Sequence, residues 1–219
     1  MGEPQVTPCH AMPGAFLKAI HKVASVGWVY DSIQTLAGAR IFEARLQRRL
    51  SDCRGRVLDL GGGTGTMKGL LPRACTYTCL DNEMPKLQRC AKKAPGSALL
   101  GDATRMPVQS GSIDVVTAVF VAHHLTNHQF EEMLRESARV LKPKGSLILM
   151  DAVWKPSRLP GRILWALDRG SSPRPEVELR AALDRHFCIE QWDHLAIYHQ
   201  YIIGVCRKNP ALTASEQPR

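Results

Sequence analysis

In VLDLGGGTGTMKGLL, residues 57–71, an apolar run carrying one acid breaks into glycines and resumes with helical spacing. Val57–Leu60 reads as a strand, Gly61–Gly65 as a turn and Met67–Leu71 as the start of a helix. Glycines in such a turn let backbone N–H groups and a helix N-terminus approach a ligand closely. Spacing separates the ligand classes that use it. A phosphate-cradling loop needs Gly-Lys-Ser or Gly-Lys-Thr after its glycines, and here Lys68 follows Met67, so that class is excluded. A dinucleotide fingerprint needs Gly or Ala at position 66, which holds Thr, and fits only weakly. The pattern left is D-x-G-x-G-x-G, carried by Asp59, Gly61, Gly63 and Gly65.

Outward from this turn the chain alternates between two periodicities. RVLDL, TYTCLD, SALLGD, IDVVTAVF and GSLILMDAV are short apolar runs, separated by helical segments such as MPKLQRCAKKA and FEEMLRESARVL. Repeated βα units predict an α/β fold: a Rossmann-like, doubly wound, mostly parallel seven-stranded sheet with helices on both faces. CIEQWDHLAIYHQ and YIIGVCRK add a C-terminal antiparallel hairpin. RLPGRILWALDRG and PEVELRAALDRH read as helices. Residues 1–50 are expected to form an N-terminal helical lid within the same domain, and residues 51–209 its main body. An acceptor-pocket insertion is expected at about 154–186 and a flexible tail at 210–219. There is no internal repeat and no low-complexity segment.

The composition bounds the function. The 219 residues, 44% hydrophobic and 22% charged, suit one globular domain, with no apolar stretch long enough to span a bilayer. The N-terminal MGEPQVTPCHAMPGAF lacks a signal-peptide core, and Val6 sits where a myristoylation signal wants Ser or Thr, so a cytoplasmic protein is expected. Seven cysteines without a C-x-x-C pair read as reduced structural thiols, and no metal site is expected. A net charge of +9 is compatible with nucleic acid, with weak peripheral association at anionic lipid or with an acidic substrate, and equally with a solvated face.

Further motifs follow the glycine turn in order. CLDNEM places Asp81 about twenty residues after the first glycine, LLGDATRMPVQSGSID places Asp102 after the third strand, and RVLKPKGSLIL leads into the fifth. Over roughly residues 55–153 this series resembles the class I S-adenosylmethionine-dependent methyltransferases, with Lys144 replacing one glycine of the usual turn. The resemblance implies S-adenosylmethionine as cofactor. It implies that Asp81 binds the ribose hydroxyls and Asp102 the adenine amino group, with Tyr30, Asp59, Gly61, Gly63, Gly65, Asn82, Met84, Ala103 and Val119 completing the cofactor site. The logic of charge agrees, because this cofactor carries a sulfonium, a diol and an adenine but no phosphate, and calls for carboxylates.

After the fourth strand, AVFVAHHL holds neither the Asn/Asp-Pro-Pro-aromatic motif of adenine or glutamine methyltransferases nor the Pro-Cys or Thr-Cys of cytosine-carbon enzymes. Nucleic acid is therefore an unlikely partner. The HHL ending is similar to the small-molecule group that includes ubiquinone, menaquinone and natural-product methyltransferases, and VYDSI, with Tyr30 and Asp31, resembles its cofactor-covering segment. This implies methyl transfer to a small aromatic or lipophilic acceptor, at O, N or C. An RNA or protein methyltransferase is the alternative, followed by a noncatalytic binding module or a nicotinamide-dependent reductase. By the same resemblance His123 and His124 are the expected catalytic residues, with His123 facing the reaction chamber as general base. A strand end exposes alternate side chains, so the two are not expected to face the cleft alike. Trp165, Arg169, Arg174 and Tyr198 are the expected acceptor-binding residues, with Asp168, His199 and Tyr201 beside them, and an arginine recognising an acidic substituent.

Overall fold

The computed structural model describes residues 40–168 and 172–209, nearly all within one unit, Ile41–Arg219. Most of the expected lid, including Tyr30 and Asp31, lies outside the described residues, as do Arg169 and the tail. Residues 40–50 are the described part of helix α1, whose Phe42, Leu46 and Leu50 recur every fourth residue and are buried.

The strands are β1 (Gly55–Leu60), β2 (Cys75–Asp81), β3 (Ala98–Leu100), β4 (Ile113–Val119), β5 (Leu141–Val153), β6 (Phe187–Ala196) and β7 (Gln200–Lys208). They form one sheet in the order β3-β2-β1-β4-β5-β7-β6. The pairings from β3 to β5 are parallel, while β7 runs antiparallel between β5 and β6, which gives the expected hairpin. Strand order reverses between β1 and β4, and in open α/β sheets the ligand crevice lies outside the carboxyl ends of such a pair.

Alternate residues of the central strands serve two cores, one on each face of the sheet. Leu58, Leu60, Val116, Leu147 and Leu149 pack with Phe130, Met133 and Leu134, whereas Val57, Val115, Ile148 and Met150 pack with Leu87, Cys90 and Leu50. Burial of both faces explains why these strands read as unbroken apolar runs. Helix α2 (Met84–Lys93) buries Leu87 and Cys90. Helix α3 (Asn127–Val140) starts at a capping box in which Thr126 and Gln129 satisfy each other's backbone N–H groups. Helices α4 (Leu159–Leu167) and α5 (Glu176–Asp184) lie between β5 and β6 in the chain. No described helix is long and apolar enough to cross a membrane.

One expected element differs. The glycine turn leads not into an α-helix at Met67–Leu71 but into a single 3₁₀ turn, Thr66–Leu70. Pro72 disfavours helical backbone at the preceding residue, and Leu71 is accordingly extended, with φ −85° and ψ 142°.

Candidate functional site

The glycines of the turn do different jobs. Gly61, Gly63 and Gly65 all hold positive φ, at 58°, 55° and 75°. A Cβ on Gly61 would lie 2.5 Å from Val121 Cγ2, and one on Gly65 would lie 2.6 Å from Cys90 Sγ. These two glycines are therefore required by packing of the protein on itself, whatever their backbone also offers a ligand. Gly63 is different, since a Cβ there would meet nothing nearer than 3.9 Å. It is the turn position that offers bare backbone to open space.

Asp59 is held by the sheet behind the turn. It sits at 2% exposure in the middle of the sheet, accepting from Tyr77 Oη at 2.8 Å and from Thr117 Oγ1 at 2.7 Å. Both carboxylate oxygens are thus engaged by β2 and β4, and Asp59 braces the turn from behind. Burial pushes its carboxyl up from 3.8 to about 6, against the lowering effect of the two hydroxyls. A folded pKa above the unfolded one means that stability from this group is complete below about pH 4. It is lost as the pH rises through about 6. Relative to wild type, Asp59→Asn is expected to gain about 2 kcal/mol between pH 4 and pH 7, read by denaturant unfolding at both. A difference independent of pH would refute the shift.

Asp81 ends β2 at 5% exposure. Its Oδ2 accepts from Gly63 N–H at 2.9 Å and its Oδ1 from Glu83 N–H at 2.8 Å, so the carboxylate is fixed against the open glycine. Asn82 and Met84 follow it and are exposed. Asp102 is exposed after β3, with Oδ1 accepting from the N–H and hydroxyl of Thr104 at 2.8 Å each. Ala103 and Val119 are partly buried against the two cores. All of these residues lie at the carboxyl ends of β2, β3 and β4, outside the switch point.

A second constellation adjoins the first, since Val121 touches the glycine turn. Strand β4 ends at Val119, Phe120 takes left-handed backbone with φ 57°, and Ala122–His124 form a 3₁₀ turn. Strand alternation therefore does not govern the two histidines, although they do differ, His124 being exposed and His123 largely buried. Their rings lie together, with centroids 4.0 Å apart. His123 Nδ1 lies 2.5 Å from Oδ1 of Asp151, a fully buried carboxylate that also accepts from Ala152 N–H at 2.7 Å and from His123 N–H at 3.2 Å. His123 Nε2 points the other way, 3.9 Å from Asp168 Oδ2. Burial alone would lower the His123 pKa, but the charge and hydrogen bond of Asp151, with the charge of Asp168, raise it above its ordinary value. Burial and the neighbouring His123 lower that of His124. Asp151 was not anticipated, although a lone acid inside GSLILMDAV was the available signal.

Trp165, on α4, is buried beside this pair, its ring centroid 5.6 Å from His123 and 4.6 Å from His199. His199 in turn contacts Tyr201, which packs edge-on against Phe42 and Phe120. Burial pushes the His199 pKa down to about 4. Tyr198 lies in the β6–β7 turn, where its carbonyl accepts from Arg158 at 2.9 Å. Arg174 is occupied within the protein itself. At 6% exposure it donates to Ala122 O at 2.6 Å, Asn127 Oδ1 at 2.7 Å and Leu125 O, and it stacks 4.8 Å from the Phe130 ring centroid. Its fork is spent on the turn that carries the histidines.

Residues 58–149 match the family model described as a methyltransferase domain. With the sheet order and the acid–glycine turn, this match supports reading the chain as a class I S-adenosylmethionine-dependent methyltransferase. Among its relatives, a ubiquinone/menaquinone biosynthesis C-methyltransferase of Ruegeria sp. is 28% identical over 158 residues, 67% of this chain and 62% of that protein. A demethylmenaquinone methyltransferase of Thermotoga maritima is 34% identical over 100 residues, 44% of this chain and 43% of that protein. The fold is that of the PH0226 protein from Pyrococcus horikoshii OT3, with a TM-score of 0.67 at 18% identity over 78% of this chain and 90% of that one. The chain spans about half the length of the curated relatives it matches.

Proposed function

We propose that this protein transfers a methyl group from S-adenosylmethionine to a small aromatic or lipophilic acceptor. The observation that carries the reading is the pairing of Gly63, open where a side chain would project, with Asp81, a carboxylate locked beside it by two backbone N–H groups. The donor set suits the cofactor, for the strand ends offer carboxylates to a diol and an amine. Asp81 would hold the ribose hydroxyls, Asp102 the adenine amino group and the backbone at Gly63 the methionine side. When bound, the cofactor supplies an electrophilic methyl on a sulfonium centre. The chain's part is alignment and exclusion of water, which in the best cases removes roughly 7–11 kcal/mol of a bimolecular barrier. Two relatives named for quinone methylation support a lipophilic acceptor. Its deprotonation runs through His123, whose ring is held by Asp151 with Nε2 turned outward.

Calorimetric titration with S-adenosylhomocysteine tests the cofactor half. Asp81→Ala is expected to weaken binding by about 1–3 kcal/mol, the cost of leaving hydrogen-bonded partners unsatisfied, in a protein that still folds. Absence of binding by the wild type would sink the reading. A cell-extract assay with labelled cofactor tests the acceptor half: label in a small organic-soluble product supports it, and label in RNA or protein refutes it. In that assay His123→Gln is expected to lower turnover at least about tenfold without changing affinity for S-adenosylhomocysteine. Full turnover in the variant would make His123 structural.

A further inference from the structure

We propose that His123, His124 and Asp168 form a binding site for one divalent first-row transition-metal cation. One ligand atom from each residue lies within 4.8 Å of the other two. His123 Nε2 and Asp168 Oδ2 are 3.9 Å apart, and two donors on a common ion, each about 2.1 Å from it, lie roughly 3–4 Å apart. That pair needs no rearrangement, and the third ligand needs to close by about an ångström.

The supporting geometry is independent of these three groups. Metal-bound imidazoles commonly present their second nitrogen to a carboxylate, which fixes the ring and makes it a better ligand. Asp151 stands in that relation to His123 at 2.5 Å, is itself fully buried, and is held by two backbone N–H groups. With Nδ1 so engaged, Nε2 is the nitrogen turned toward Asp168. The segments bearing the ligands are tied as well. Arg174 grips the Ala122 and Leu125 carbonyls on either side of the histidines, and Ser172 N–H donates to His123 O at 2.6 Å. The Asp168 N–H caps α4 on Leu164 O at 3.0 Å.

Two imidazoles and one carboxylate select a zinc-like cation over magnesium or calcium, which take mainly oxygen ligands, and three protein ligands leave a coordination position open. Beside the glycine turn, that position suits an acceptor oxygen, whose proton a divalent cation makes easier to lose. With the ion bound, His123 Nε2 is a ligand and no longer a base, and the cation takes over the activation of the acceptor that His123 supplies in the metal-free protein. This use rests on the methyl-transfer reading, whereas the site itself does not. No ligand spacing in the sequence announces it, because Asp168 lies 44 positions beyond His124.

The test uses the full chain, purified without a histidine tag, stripped with chelator and titrated with Zn²⁺ and Co²⁺. One saturable site per chain is expected, with a cobalt spectrum of nitrogen–oxygen type. His124→Ala and Asp168→Ala change residues that are exposed or partly so, and each is expected to weaken binding at least about tenfold while the melting temperature holds. Asp151→Asn is expected to weaken it about 10–100-fold. No saturable binding, a thiolate-to-cobalt charge-transfer band from a cysteine, or binding indifferent to the first two variants would each overturn the proposal. Titration with S-adenosylhomocysteine reports separately on the methyl-transfer reading.

Discussion

Gly63→Val abolishes cofactor binding while leaving a folded protein: that is the expected result at the open position of the glycine turn. The φ of 55° costs a branched residue on the order of 1–3 kcal/mol of strain. No neighbour lies nearer than 3.9 Å to the new Cβ, so packing is untouched. The branches instead fill the space in front of Asp81, and affinity for S-adenosylhomocysteine is expected to fall at least about 100-fold, roughly 3 kcal/mol. Gly65→Ala is the informative control, because its Cβ would press on Cys90 and cost stability first. Retained affinity in a folded Gly63→Val protein would show that the ligand does not pass this backbone.

Arg174→Ala is expected to destabilise the protein by about 3–5 kcal/mol. The side chain is buried, and its removal leaves the buried Ala122 carbonyl and the part-buried Leu125 carbonyl without their donor, at about 1–3 kcal/mol for each, while the exposed Asn127 turns to water. The stacking against Phe130 is lost as well. Arg174→Lys rescues little, since a point charge does not reproduce the fork. Thermal unfolding gives the measurement, with a fall on the order of 10 °C for a chain of this size. Unchanged unfolding with weakened acceptor binding would return Arg174 to the substrate.

The parts legible in the sequence are those fixed by local spacing. Apolar runs gave the strands, and the interval from Gly61 to Asp81 put an acid beside the turn. The helix expected after Gly65 was read too long although Pro72, a local signal, disfavours its continuation through Leu71. What stayed hidden depends on partners distant in the chain. Asp59 belongs to the motif by spacing, but its hydroxyl partners are 18 and 58 residues away, and only the register of β2 and β4 shows that they consume it. Arg174 reads as a surface cation until its acceptors, 47 to 52 residues back, are seen. The histidines were placed by strand alternation because an aromatic such as Phe120 gives no hint that it will adopt left-handed backbone and end that alternation.

Strand β5 has two allegiances. On one side it continues the parallel sheet through β4; on the other, Asp151 is paired with Ile202 and Ala152 with Tyr201 of the hairpin. The carboxylate that steadies His123 is therefore seated by a late piece of the chain, while Gly63 and Asp81 are seated by an early one. Such a division makes the two halves separately exchangeable. On the proposed reading, a chimera that takes α4 and the β6–β7 hairpin from a related protein is expected to inherit a new acceptor side along with a new seat for Asp151, with the Gly63–Asp81 end of the crevice not rebuilt.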